Sequence, residues 1–162
     1  QAVVDCLFDA LFEDRQVFIV GNGGSASTAS HMMNDLSKLT IRSGQPRYRA
    51  IALTDNMPLI TAWGNDISYD SVFVEPLRNL MRPADILVAI STSGNSKNVE
   101  LGLKTSKQKN AITIGLLGCD GGSIKDIVDI AIIVDSTDTA KIQEIHRVIY
   151  HIICNFVENK LA

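Results

Sequence analysis

VFIVGNGGSA, residues 17–26, is the stretch that decides the fold of this chain. An apolar run of strand length passes straight into a glycine-rich turn, and a segment with helical spacing follows. Such a turn delivers free backbone N–H groups to a helix N-terminus, where an anion can bind. The letters also fit the dinucleotide pattern G-x-G-x-x-A, but the acid after the second strand, Asp55, comes about 30 residues later instead of about 20. The turn therefore indicates an anion site or, as the alternative, close packing of a strand against a helix.

The alternation of strand and helix continues along the whole chain. Nearly continuous runs rich in Val and Ile, typical of strands covered on both faces, are separated by segments with helical spacing. The predicted strands are residues 17–20, 50–53, 86–90, 111–117 and 130–134, and the predicted helices are residues 26–39, 57–64, 71–80, 99–109 and 139–161. This order predicts one α/β domain over residues 1–162, with a doubly wound sheet of five parallel strands and a ligand beyond their carboxyl ends.

Composition argues against several classes of protein. The chain has 162 residues, 46% of them apolar, and 15 Lys and Arg against 18 Asp and Glu give a net charge of −3. That balance argues against a nucleic-acid surface, and no apolar run approaches the roughly 20 residues that cross a bilayer. Three widely spaced cysteines indicate neither a disulfide framework nor a structural zinc cluster, so we expect a cytoplasmic protein. The N-terminal stretch has no signal-peptide pattern, and because it begins with Gln1 we expect further residues upstream in the natural protein.

A second candidate anion site follows the third predicted strand, in STSGNS at residues 91–96. Its four hydroxyls and its backbone N–H groups can surround a phosphate through neutral hydrogen bonds, with help from the helix dipole. A Ser or Thr cap for the following helix is the alternative, but one hydroxyl would suffice for that. Two such loops on neighbouring strands indicate a sugar-phosphate pocket better than a nucleotide crevice, because no adenine slot is recognisable. We therefore expect no nucleotide cofactor.

Several motifs together resemble the sugar isomerase (SIS) domain family, in its phosphoheptose isomerase branch. They are GNGGSA at 21–26, His31, Gly64-Asn65-Asp66, STSGNS at 91–96, Asp120-Gly121-Gly122, QEIH at 143–146 and His151. The similarity spans residues 16–158. It implies a flavodoxin-like five-stranded sheet and a homotetramer with its sites at subunit interfaces. It also implies conversion of sedoheptulose 7-phosphate to D-glycero-D-manno-heptose 7-phosphate, on the route to lipopolysaccharide precursors.

Isomerisation of a ketose to an aldose moves a proton between neighbouring carbons through an enediol. The reaction needs a base, an acid for the oxygen and an anchor for the phosphate. On the predicted helix after the glycine turn, His31 and Asp35 are four residues apart and share one face. These two residues are therefore candidates for the chemical centre.

The last predicted helix carries His151 and offers two partners for it. Bare helical spacing favours Glu144, seven residues earlier, whereas the resemblance favours Gln143. We follow the resemblance, because a long glutamine side chain can cover the angular gap. Glu144 and His146 are then structural or interface residues, with a solvated His146 as the other interpretation.

The resemblance also implies a role for each candidate residue. Asp35 and His151 exchange protons with the substrate, and any bound zinc is held by a set of four residues. That metal set is His31, Asp35, Gln143 and His151. The substrate-binding candidates are Asn22, Gly23 and Gly24 at the floor of the pocket, Ser91, Thr92, Ser93 and Ser96 around the phosphate, and Asn65, Asp66 and Gln143 near the sugar.

Two positions depart from the family pattern. Asp35 stands where the family has a glutamate, which withdraws the carboxylate by roughly 1.5 Å, and Ala140 stands where related isomerases often carry an acid. The alternative functions are therefore a non-catalytic scaffold, resembling the replication-initiator-associated proteins of this fold, and a sugar-phosphate sensor. The residues His31, Gln143 and His151 match the enzyme pattern, so the isomerase is the first hypothesis.

Overall fold

The computed structural model describes residues 1–161, which form six α-helices and five β-strands. The helices are α1 (Ala2–Phe12), α2 (Gly24–Lys38), α3 (Met57–Asp66), α4 (Val74–Leu80), α5 (Lys97–Gln108) and α6 (Thr139–Lys160). The strands are β1 (Gln16–Gly21), β2 (Arg49–Ala52), β3 (Ile86–Ser91), β4 (Ile112–Gly118) and β5 (Ile130–Val134). Over the same residues, no helix combines the length and the apolar composition required to span a bilayer.

The five strands form one all-parallel sheet in the order β2-β1-β3-β4-β5, which confirms the predicted fold class. β1, β3 and β4 are buried almost throughout, and this explains their continuous apolar runs. The edge strands β2 and β5 are partly exposed. β1 and β3 are neighbours, in a register that pairs Gly21 with Ile90. The loops after these two strands therefore leave the sheet side by side, at the edge where doubly wound folds bind their ligands.

Helices cover both faces of the sheet, so the fold is doubly wound. On one face, α1, α2 and α6 pack against the strands through buried residues such as Leu7, Met32 and Tyr150. On the other face, α4 and α5 contribute residues such as Leu77 and Leu103. Because α2 and α6 lie against each other on the same face, the fold brings together the two helices that carry the candidate acids and bases.

The prediction of one helix over residues 71–80 is wrong. A 3₁₀ turn at Tyr69–Ser71 precedes α4, which begins at Val74. Proline lacks an N–H and clashes with the carbonyl four residues earlier, so Pro76 fits only in the first turn of a helix. A helix starting at residue 71 would place this proline in its second turn. The sequence prediction also omitted α1, whereas the ends of the other elements differ from it by one or two residues.

His146 fixes α6 to the sheet. Its side chain is fully buried, and its Nε2–H donates a hydrogen bond of 3.0 Å to the carbonyl of Leu117 in β4. Its Nδ1 has no hydrogen-bond partner among residues 1–161. Burial lowers the pKa of His146, and the Leu117 carbonyl opposes this only in part. His146 is thus a neutral structural residue, and the interpretation that it is solvated is wrong.

Candidate active site

A pair of asparagine side chains joins the glycine turn after β1 to the N-terminus of α5. Asn22 Nδ2 donates to Asn98 Oδ1 at 2.8 Å, and Asn98 Nδ2 donates back to Asn22 Oδ1 at 2.9 Å. The hydroxyl of Tyr69 donates to the same Asn22 oxygen at 2.9 Å. The side chain of Asn22 is thus bonded within the protein. The exposed backbone at Gly23 and Gly24 is the part of the turn that an anion can reach.

Hydrogen bonds of its own serine side chains hold together the loop at residues 91–96, called the serine loop below. Ser91 is buried, and its Oγ lies 3.1 Å from Ser96 Oγ and accepts a hydrogen bond of 3.2 Å from the N–H of Gly94. Ser93 is exposed, and Thr92 and Ser96 are partly exposed. Within the described chain, Ser96 occupies the N-cap position of α5 but makes no side-chain capping bond. Capping alone therefore does not account for these hydroxyls.

A third loop, after β4, supports the serine loop. Gly94 has a φ of +64°, and a Cβ at this position would overlap the backbone of Gly121. The N–H of Ile124 donates a hydrogen bond of 3.0 Å to the carbonyl of Gly94. Because both the backbone angle and the space require glycine here, the Asp120-Gly121-Gly122 segment helps to set the shape of the serine loop.

His31, Asp35 and His151 meet where α2 packs against α6. Asp35 Oδ1 lies 3.7 Å from His31 Nε2, and Asp35 Oδ2 lies 3.5 Å from His151 Nε2. The side chain of Asp35 is 6% exposed, whereas those of the two histidines are 45% and 43% exposed. One ligand atom from each residue lies within 4.8 Å of the other two, so this group could hold a metal ion. The carboxylate of Asp35 therefore faces both imidazoles despite its shorter side chain.

Gln143 lies against the glycine turn, whereas Glu144 is exposed. A Cβ on Gly24 would overlap the side-chain amide of Gln143. Glu144 forms an ion pair with Arg147 at 3.4 Å. Both Gln143 and Glu144 line a cavity of about 300 Å³ between the first halves of α2 and α6, and His31 lines it too. Gln143 and Glu144, the two candidate partners of His151, thus line the same cavity, and only Gln143 contacts the start of α2.

Asn65 and Asp66 lie at the C-terminal end of α3. Both are exposed, and Asn65 Nδ2 donates a hydrogen bond of 2.8 Å to Asp66 Oδ1. Over residues 1–161, their side chains make no hydrogen bond to either candidate anion loop or to the histidine cluster. Their proposed contact with sugar hydroxyls stays a prediction.

Tyr150 is a site residue that the sequence analysis missed. It is fully buried, and its hydroxyl lies 2.9 Å from Nε2 of His151. Its ring also meets that of His31 edge to face, with 5.4 Å between centroids. Burial, assisted by the charge of Asp35, raises the pKa of Tyr150 to about 12. Its signal in the sequence was its place beside His151, but neighbours on a helix point about 100° apart and are not expected to meet.

Comparison with known proteins gives the same fold and a consistent set of relatives. A SIS domain family model matches residues 1–118. The phosphoheptose isomerase of Geotalea daltonii is 44% identical over 163 aligned positions, which cover 99% of this chain and 83% of the relative. That of Clostridium acetobutylicum is 40% identical, with coverage of 99% and 82%. The solved structure of phosphoheptose isomerase from Neisseria gonorrhoeae superposes with a TM-score of 0.89 at 34% identity, covering 96% of this chain and 83% of that one.

Proposed function

Because this chain belongs to the SIS domain family, in its phosphoheptose isomerase branch, we propose that it is an aldose–ketose isomerase acting on sedoheptulose 7-phosphate. Its product is D-glycero-D-manno-heptose 7-phosphate. One observation carries the proposal: each oxygen of the Asp35 carboxylate faces a histidine, His31 or His151. The 44% identity to an enzyme of that name supports it.

In the proposed reaction, Asp35 and His151 move the protons. Asp35 takes a proton from C1 of the ketose, which leaves an enediol once the oxygen on C2 has been protonated, and later returns a proton to C2. His151 supplies a proton to the oxygen on C2 and accepts the one released from the oxygen on C1. Each transfer requires the group to lie within hydrogen-bond reach of its target.

The proposed phosphate anchor consists of the two neighbouring loops. Thr92, Ser93 and Ser96 donate hydroxyl hydrogen bonds, and Ser91 contributes through its contact with Ser96. The exposed N–H groups at the start of α2 add donors and the positive end of a helix dipole. Anchoring at one end of the substrate holds the reacting carbons near Asp35, which favours proton transfer by fixing its geometry.

We propose that zinc is the metal this site accepts. His31, Asp35 and His151 offer two imidazole nitrogens and a carboxylate oxygen, a donor set that suits zinc, and Gln143 would add an amide oxygen. When bound, zinc would act as a Lewis acid that polarises the oxygens of the substrate. The other residues of the pocket would still hold and orient the sugar phosphate.

We also propose that four copies of the single domain assemble. One side of α6 exposes the large apolar side chains of Ile145, Val148, Ile152 and Phe156, at exposures from 41% to 58%. Apolar patches of this kind mark contact surfaces. A site at the interface between subunits would then also depend on this helix, because α6 carries His151.

Incubation of the purified chain with sedoheptulose 7-phosphate, with and without zinc, tests the function. We expect NMR to show the aldose, with deuterium at C2 when the reaction runs in D₂O, because the transferred proton can exchange with solvent. His151→Ala and Asp35→Asn should each reduce turnover about 10²- to 10⁴-fold while the fold is retained. Asn155→Ala, an exposed position one turn beyond His151, is the matched control.

Turnover in neither condition would overturn the isomerase. Tight binding of the sugar phosphate without turnover would instead favour a sensor, and neither binding nor turnover would favour the scaffold. A fully active His151→Ala variant would overturn the assignment of that residue alone.

A further inference from the structure

The Nε2 atom of His151 has two competing uses. It lies 2.9 Å from the hydroxyl of Tyr150. It is also the ring nitrogen that faces the carboxylate of Asp35, at 3.5 Å. We expect a metal ion held by His31, Asp35 and His151 to bind this same nitrogen, because it is the one that faces the Asp35 carboxylate.

We propose that Tyr150 is a positioning residue that competes with a metal ion for Nε2 of His151. The chain then has two alternative arrangements of this histidine. In one, the hydroxyl of Tyr150 orients the imidazole; in the other, that hydrogen bond is broken and the nitrogen binds the metal. This inference rests on the metal site of the proposed function and adds a residue that controls it.

The two uses exclude each other for a chemical reason. A neutral imidazole nitrogen either accepts one hydrogen bond through its lone pair or donates one through its N–H. A metal ion requires the lone pair of the unprotonated nitrogen. Whether the hydroxyl of Tyr150 donates to Nε2 or accepts from it, the nitrogen is therefore not available to a metal at the same time.

The surroundings of Tyr150 make its hydrogen bond costly to break. The side chain is fully buried in the apolar layer that α2 and α6 form against the sheet. Its ring contacts the rings of His31 and His151, with centroids 5.4 and 4.3 Å away. A phenol packed on these sides has little room to move its hydroxyl elsewhere. A buried hydroxyl without a partner is unfavourable, so the hydrogen bond opposes metal binding.

The proposal is tested by comparing the zinc affinity of the unaltered chain with that of the Tyr150→Phe variant. The substitution removes the hydroxyl and keeps the ring. Equilibrium competition with a chromophoric zinc chelator gives the dissociation constant without any enzyme assay. We expect Tyr150→Phe to bind zinc about 3- to 10-fold more tightly, the range that corresponds to one net hydrogen bond. A merely structural role would give the opposite sign, because damage to the packing weakens a metal site.

Two further variants serve as controls. Tyr48→Phe removes another buried hydroxyl, which donates to the Leu7 carbonyl at 2.7 Å away from the cluster, and should leave zinc affinity unchanged. In a chain that carries His151→Ala, adding Tyr150→Phe should leave zinc affinity unchanged, because the nitrogen for which the hydroxyl and the metal compete is absent.

The outcomes separate the two proposals. Equal or weaker zinc binding by Tyr150→Phe, when the unaltered chain binds zinc, overturns the role of Tyr150 and leaves the isomerase standing. Zinc binding by Tyr150→Phe alone supports the competition. No zinc binding by either chain overturns the metal site and this inference together, while product formation from sedoheptulose 7-phosphate still decides the isomerase.

Discussion

Asn22 and Asn98 hold each other through two reciprocal amide hydrogen bonds, of 2.8 and 2.9 Å, beyond the carboxyl ends of the neighbouring strands β1 and β3. One residue belongs to the glycine turn and the other to the first turn of α5, just after the serine loop. The two candidate anion loops are therefore held at a fixed separation by the protein itself. A phosphate that needs donors from both loops meets a site that is already assembled.

Asn98→Ala should weaken substrate binding. The change leaves Nδ2 of Asn22 without its acceptor in a partly buried place, while Tyr69 still donates to Oδ1, and this should cost about 1–3 kcal/mol of stability. Because the loops lose their connection, we expect KM for the sugar phosphate to rise more than kcat falls. Steady-state kinetics and denaturant unfolding measure the two effects. An unchanged KM would show that the asparagine pair does not set the geometry of the phosphate site.

Gly94→Ala should disrupt the serine loop. An added Cβ overlaps the backbone of Gly121 and also meets the strain of a φ of +64°. Gly44→Ala is a matched control, because Gly44 has a φ of +79° but open space around it. We expect Gly44→Ala to cost only about 1 kcal/mol, whereas Gly94→Ala should in addition lose phosphate binding, measured by calorimetry with the substrate. Equal effects of the two variants would contradict a role for the close contact.

Gly24→Ala should move Gln143 with little loss of stability. Gly24 is the first residue of α2 and has no left-handed backbone, so alanine is tolerated there. The added methyl overlaps only the flexible end of the Gln143 side chain. If Gln143 contributes to metal or substrate binding, Gly24→Ala and Gln143→Ala should show the same lowered zinc affinity and raised KM. A Gly24→Ala chain that behaves as the unaltered one would remove Gln143 from the site.

The free energy of unfolding should decrease as the pH is lowered, because of His146. Its folded pKa lies below the usual value near 6.5, so the unfolded chain binds the proton more readily. The free energy of unfolding therefore decreases as pH falls below about 6.5 and levels off once the pH lies below the folded pKa. Urea unfolding from pH 8 to pH 5 measures this. His146→Gln keeps an N–H donor for the Leu117 carbonyl but does not titrate, and should show a weaker dependence in that range; an identical dependence would contradict the assignment.

Val148→Glu should disrupt the proposed tetramer. The substitution places a charge in the middle of the apolar face of α6, which would be buried between copies. Light scattering coupled to size exclusion should then report species smaller than four chains. Gln108→Glu adds the same charge to an exposed position on α5, on the other face of the sheet, and should leave the assembly intact. A monomeric unaltered chain would overturn the tetramer itself.

The fold was predictable because its signals are local and repeated. The continuous apolar runs of β1, β3 and β4 indicated strands that are buried on both faces. The glycine turn after β1 indicated that this strand is followed directly by a helix. The sequence prediction started the helix before Pro76 too early. Proline is compatible with a helix only in its first turn, so the position of this one residue is the only signal for where α4 begins.

The site was predictable only in part, because side-chain partners depend on packing between elements. His31 and Asp35 share a helical face, and their spacing alone predicts that they meet. The bonds of Asn98 to Asn22 and of Tyr150 to His151 have no such periodic signal. The first joins residues 76 positions apart, and the second depends on two adjacent side chains bending toward each other.

The bond between His146 and the Leu117 carbonyl, together with the buried apolar face of α6, fixes the rotation of this helix about its own axis. A shift of this helix by one residue would turn His151 by about 100° and carry it away from Asp35. The alignment of the acid–base pair therefore depends in part on a fully buried side chain five residues away. Redesign of the site for other phosphorylated sugars should therefore preserve this internal bond.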